Sequence, residues 1–232
     1  MTETSTSSNA GVVLWRFVKE IVIILVVALG LSFLVRTFIV QAFYVPSQSM
    51  ENTLMPNDRI LASKITTRFA GVDRGQIVVF HDPGDWLDAS QKRSADGLPG
   101  VLEWIGLLPS NTGDDLVKRV IAVGGDHVRC CSTDGRIVLN GVPLTEPYVK
   151  PGDTSDDVRF DVTVPQGRIF VMGDNRNASA DSRYHLNDKQ GTVPLDNVVG
   201  RVVLTVWPFS AFSTHPVPAV PFDDPRLDDQ TK

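Results

Sequence analysis

The chain has 232 residues, 42% of them apolar, and a net charge of −5 from 22 basic and 27 acidic side chains. Ordinary apolar content with a modest net charge excludes a wholly disordered chain. A mean hydropathy of +0.00 excludes a membrane protein with many spans, and the acidic balance argues against nucleic acid as a partner.

That average conceals two unlike parts. Residues 1–40 carry a net +1, so the other 192 carry −6. Residues 1–14, small and polar at first, predict a disordered cytoplasmic tail. From Ile21 to Val35, 13 of 15 residues are apolar and none is charged. Fifteen residues fall short of the roughly 20 that a spanning helix needs. With Trp15, Phe17 and Val18 added, and Arg16 and Lys19 snorkelling, a helix over 15–36 covers about 30 Å. Trp15 suits one membrane interface, and Phe38, Ile39, Phe43 and Tyr44 suit the other. The run is apolar on every side, unlike the striped face of a core helix. A cleavable signal peptide is the alternative, because Val40-Gln41-Ala42 loosely fits the small-residue cleavage rule. Arg36 and four more residues separate that site from the apolar run, which favours a retained anchor in the lipid bilayer. Arg16 and Lys19 ahead of the run predict a cytoplasmic N-terminus and an exported body, although Arg36 on the far side works against that rule.

Residues 37–216 read as a β-rich domain. Candidate strands are Arg59–Ser63, Gln76–His81, Leu116–Val123, Asp126–Cys131, Arg136–Leu139, Val158–Val164, Arg168–Gly173 and Val198–Trp207. Asn140-Gly141 is a hairpin signal, and Gly124-Gly125 marks another turn. The predicted fold class is therefore mostly β: one N-terminal transmembrane helix followed by a β-rich domain. A polar insertion at 85–115 breaks the rhythm. Within it, Val101–Leu108 predicts a short amphipathic helix that either caps the body or dips into lipid. Residues 217–232, rich in Pro and Asp, predict a disordered tail.

Several chemistries lack their motifs. Four histidines occur, with no HExxH and no CxxC, so no metal site or cofactor is expected. No P-loop, GxGxxG or GxSxG is present. Cys130 and Cys131 are adjacent. Their Cα atoms lie about 3.80 Å apart across a trans peptide, below the usual disulfide range of about 4.4–6.8 Å, so a disulfide between them is possible but strained. In a strand they face opposite sides, so one buried and one exposed thiol is the expectation, and a redox role is the lesser alternative.

Four segments carry chemistry: 44–54 just beyond the anchor, 57–64, 118–126, and the hydroxyl-rich 173–183 after an apolar strand. Together they resemble bacterial signal peptidase I, the Ser/Lys protease that removes signal peptides from exported preproteins. The resemblance runs from the anchor to about Trp207, and places the protein in the bacterial plasma membrane. It implies Ser49 as nucleophile, Lys118 as general base and Ser47 as an oxyanion-binding hydroxyl. Ser179 becomes the hydroxyl that orients the lysine. Asp181 and Arg183 become a supporting ion pair, with Asp174, Asn175 and Arg176 opening the same box. Phe43, Val45, Pro46, Met50 and Val117 become candidates to line shallow pockets for small substrate residues. The chain departs from the family at Gln48, where Gly is usual, and at Tyr184-His185-Leu186, where a Gly often follows.

Serine is a poor nucleophile until a base takes its proton. Lysine can do so only when neutral, and its reference pKa is about 10.4. Burial among Val117, Val120 and Ile121 would lower it, while Arg119 leaves the strand by the opposite face. Two other readings compete: a self-cleaving Ser/Lys repressor, which lacks its DNA-binding helices here, and a non-enzymatic tethered domain that binds exported polypeptide. Val40-Gln41-Ala42 also resembles a substrate, so self-cleavage is expected unless Phe38–Tyr44 is held in helix or strand.

Overall fold

The computed structural model describes residues 7–84, 86–87 and 114–228. The helix expected at Val101–Leu108, and nearly all of the 85–115 insertion, lie outside them. Helix α1 runs from Ser7 to Phe38, so it begins inside the expected tail and extends past both ends of the expected anchor. No proline interrupts it, and apolar residues already begin at Val12. Gly11–Val35 is long and apolar enough to cross a membrane, with none of its apolar window buried against protein. The side chains from Val12 to Val35 that are large and apolar stand exposed, which rules out the core-helix alternative.

The body is two antiparallel sheets. The larger uses β1 (Val40–Tyr44), β2 (Arg59–Ser63), β3 (Ile77–His81), β4 (Asp115–Val123), β9 (Arg168–Met172), β10 (Val193–Pro194), β11 (Val198–Trp207) and β12 (Ser213–Thr214). Its order is β1-β2-β11-β3-β4-β9-β10, with β12 on β11. The smaller sheet orders β7 (Val142–Pro143), β6 (Ile137–Leu139), β5 (His127–Cys130) and β8 (Phe160–Thr163). All eight expected strands are present, with ends shifted by at most two residues. Four short strands, β1, β7, β10 and β12, and helix α2 (Lys64–Phe69) were not expected. Each is too short to show a period.

Local chemistry explains the turns. Leu139 pairs with Val142 across Asn140-Gly141. Both turn residues have positive φ, 49° and 80°, as a two-residue hairpin of this type requires. In β3, Ile77, Val78, Val79 and Phe80 are all buried, because apolar clusters cover both faces of the sheet there. Leu61 of β2 pairs with Ala42 and Ile60 with Phe43, so β1 is woven into the sheet. Cleavage after Ala42 would split that strand, which speaks against a removable leader.

Two expectations are corrected. The segment from 217 to 228 is ordered on the body: Leu227 is fully buried, its carbonyl accepts from Asn140 Nδ2 at 2.7 Å, and Arg74 pairs with Asp228 at 2.7 Å. The Pro and Asp residues that suggested disorder instead make turns, Asp224 capping Pro225–Leu227. Cys130 and Cys131 are joined to each other as a disulfide across a cis peptide. Strand β5 ends at Cys130, so the alternation that would have sent the two side chains apart does not continue. Both sulfurs lie against the Ser155 carbonyl oxygen, at 3.1 and 3.9 Å.

Candidate active site

The loop between β1 and β2 carries Ser49. Its neck is closed by Val45 N–H on Asp58 O at 2.9 Å and Asn57 N–H on Val45 O at 2.8 Å. Met50 and Leu54 plug it into the apolar core. Within it, Thr53 and Leu54 N–H donate to the Met50 carbonyl, making a tight turn just after the serine. Ser49 is 4% exposed although it lies on a loop. Its carbonyl accepts Asn175 N–H at 3.0 Å, so the loop after β9 pins the backbone of the loop after β1.

Lys118 lies on β4, opposite Val78 of β3, and is 3% exposed. Its Nζ donates to Ser49 Oγ at 2.5 Å. Burial lowers the Lys118 pKa to about 8; Asp181 and Asp174 oppose that shift and Arg183 adds to it. The amine is therefore largely neutral at mildly alkaline pH, the form in which it can accept a proton. Ser47 Oγ lies 3.1 Å from Ser49 Oγ on the solvent side.

The 173–183 segment closes the site from behind. Ser179 is 3% exposed and its Oγ has no hydrogen-bond partner among the described residues. A methyl group on Gly173 would overlap both Ser179 Oγ and the Ser49 carbonyl oxygen, so these three residues are in contact. The expected bond from Ser179 to the lysine is not formed here, whereas Lys118 Nζ reaches Ser49 Oγ. Asp181 and Arg183 pair at 2.8 Å with both side chains fully buried. Asp181 also accepts Gly173 N–H at 3.0 Å, and Arg183 donates to Arg176 O at 2.7 Å. Burial pushes the Asp181 carboxyl up, but the Arg183 guanidinium and the Gly173 N–H hold it below its ordinary value.

Asp174, Asn175 and Arg176 each brace a different neighbour. Asp174 accepts from Arg119 Nε at 2.8 Å and Nη2 at 2.6 Å, a bidentate pair, and also from Thr53. Asn175 Nδ2 donates to Glu51 at 3.2 Å. Arg176 is fully buried, bonded to Gly173 O at 3.0 Å and to Glu146 at 2.6 Å, and to Ser155 Oγ. Arg119, Thr53, Glu51 and Glu146 were missed by the sequence reading. An arginine inside the apolar frame of β4 was the available signal, since its hydrogen-bond partners are 44 to 66 residues away in sequence. Arg119 also lies over the Tyr148 ring at 4.1 Å. As expected, it takes different partners from Lys118.

Of the pocket candidates, Phe43, Val45 and Met50 join one apolar cluster with Val117 at its edge. The first three are 2%, 2% and 1% exposed, so they floor the region rather than line an open wall. Pro46 is exposed and lies outside the cluster. Gln48 is exposed between the two serines and needs no positive φ, so its side chain is accommodated without a glycine conformation.

A lipid-compatible helix on a β body, with a buried amine against a buried serine, has the make-up of a membrane-bound serine peptidase. The family described as signal peptidase, peptidase S26, matches residues 14–207, and the chain belongs to that family. A probable signal peptidase I of Mycobacterium leprae is 38% identical over 90% of this chain and 83% of its own length. Signal peptidase I of Mycobacterium tuberculosis is 38% identical over 82% and 72%, and signal peptidase IB of Staphylococcus aureus is 30% identical over 83% and 91%. A crystal structure of a signal peptidase I from Enterococcus faecalis aligns with 56% of this chain and 95% of its own, at 26% identity and a TM-score of 0.36. Family membership removes the reading as a non-enzymatic binding domain.

Proposed function

We propose that Ser49 and Lys118 perform the peptidase reaction of this chain, which is a serine endopeptidase that removes signal peptides. The observation that carries the assignment is the 2.5 Å contact between two buried groups, Lys118 Nζ and Ser49 Oγ. Neutral Lys118 takes the hydroxyl proton as Ser49 Oγ bonds to the scissile carbonyl carbon. The oxyanion is held by the Ser47 hydroxyl and the Ser49 N–H, a type of contact worth about 3 kcal/mol per donor. Lys118 then gives its proton to the leaving amine, and a water activated by the same amine hydrolyses the Ser49 ester. Ser179, packed on Gly173, orients the lysine when substrate displaces Ser49 Oγ from it. Asp174, Asn175, Arg176, Asp181 and Arg183 hold the frame.

The substrates are signal peptides of exported preproteins. Pro46 and Val117 contact the small side chains before the cleaved bond over a floor of Phe43, Val45 and Met50, and the peptide adds as a strand. The chain is anchored in the bacterial plasma membrane with its N-terminus in the cytoplasm; Arg16 and Lys19 ahead of the span support that orientation. The domain layout is an anchor followed by one catalytic body. The test is cleavage of a preprotein by Ser49→Ala and Lys118→Ala in full-length protein. Each is expected to lose on the order of a thousandfold or more in rate. Wild-type cleavage by either folded variant would overturn the assignment.

A further inference from the structure

A cavity of about 450 Å³ opens where α1 meets the body, lined by Thr37 of α1, Lys64 and Arg68 of α2, and Asp196, Leu195 and Val198. It shares none of the candidate catalytic residues. We propose that this cavity binds the headgroup of an anionic phospholipid, its phosphodiester on Lys64 and Arg68 and its hydroxyls on Asp196. The proposal rests on α1 crossing a bilayer, but on neither the catalytic assignment nor the direction of crossing.

Depth is the first argument. The membrane-compatible stretch ends at Val35, and Thr37 lies about 3 Å further along the helix. The polar layer flanking the hydrocarbon core is about 5–7 Å thick, so the cavity mouth sits within it. Charge is the second. The body is acidic overall, yet here Lys64 and Arg68, one helical turn apart, outnumber Asp196. His81, also on the wall, is engaged by Asp115 at 2.8 Å. The third argument is exposed apolar surface on the same elements. On the same short helix, Ile65 and Phe69 are exposed, Phe69 at 81%, as are Phe38 and Ile39 at the end of α1. The Ile39 carbonyl accepts Lys64 N–H at 2.9 Å, which locks α2 beside the anchor. Exposed apolar side chains on the two elements that supply Thr37, Lys64 and Arg68 suit acyl chains beneath a phosphate.

The test uses full-length protein and short-chain lipids in neutral detergent: phosphatidylglycerol, phosphatidylcholine, phosphatidylethanolamine and, separately, inorganic phosphate. Wild type is expected to bind phosphatidylglycerol at least tenfold more tightly than either zwitterionic lipid or phosphate. Lys64→Gln with Arg68→Gln is expected to weaken that binding on the order of tenfold. Arg129→Gln with Arg159→Gln, an equal charge loss at exposed sites, is expected to leave it within twofold. Equal affinity for all three lipids, equal binding of inorganic phosphate, or undiminished binding in the Lys64/Arg68 variant would each overturn the proposal. Flotation of wild type with phosphatidylcholine vesicles keeps the anchor reading separate: flotation without headgroup preference sinks this site alone, and failure to float sinks the anchor as well.

Discussion

At the scale of single residues, the site turns on the cost of hiding one ammonium group. Lys118 is almost wholly buried and its nearest hydrogen-bond partner is a neutral hydroxyl, so its charged form loses hydration that nothing fully replaces. Its pKa falls to about 8 from an ordinary 10.5. On the proposed assignment the neutral amine is the active form, so cleavage rate should rise with pH through about 8 and level off above it. A profile flat from pH 6 to 10 would contradict Lys118 as the base. The same shift acts on stability. Below pH 8 the native state carries a penalty that the unfolded chain lacks, and that penalty disappears as pH rises from 8 toward 10.5. Replacing Lys118 by Met should therefore abolish cleavage while raising stability at pH 7, by at most about 3 kcal/mol. Urea titration of the variant checks this, and the gain should shrink at pH 10.

At the scale of elements, the two catalytic loops are held by one another. The loop after β9 reaches the Ser49 carbonyl through Asn175 N–H and packs Gly173 against Ser49 and Ser179. A methyl at 173 has no room, so Gly173→Ala should lower the cleavage rate at least tenfold, with a stability cost of about 1–3 kcal/mol. An unaltered rate would show that this contact does not set the serine's position. The Arg119–Asp174 pair joins β4 to the same loop with both side chains buried. Asp174→Ala strands a buried guanidinium, so a loss of about 3–5 kcal/mol is expected by thermal or urea unfolding. The strands themselves were legible in sequence because apolar runs bounded by Gly and Asn have few other solutions. Strand β1 was not, since five residues next to an apolar helix carry no period of their own. It exists because β2 offers a free edge in register, Val40 to Ser63.

At the scale of the whole molecule, β1 couples anchor and body. It holds Val40-Gln41-Ala42 paired in the sheet, so sequencing of purified protein should find no N-terminus at Phe43. Its appearance would mean that the edge strand opens. The C-terminal segment closes the opposite side, where Leu227 fills the core and Asp228 meets Arg74. Deleting residues 218–232 should cost about 2 kcal/mol or more from the lost apolar burial alone, measured as a lower urea midpoint. An unchanged midpoint would show that the segment adds nothing to the fold.

The sequence by itself determined the division into apolar helix and acidic β body and the succession of strands. Those features are local: hydropathy, periodicity and short motifs can be read within a window of a dozen residues. Only the tertiary structure decided that Lys118 reaches Ser49 across 69 positions of sequence, that Arg119 and Glu146 brace the loop behind them, and that a Pro- and Asp-rich end folds back onto the body. Burial, ion pairing and a shifted pKa are properties of distance in space, and they come into being only when the sheet brings β4 beside the Ser49 loop.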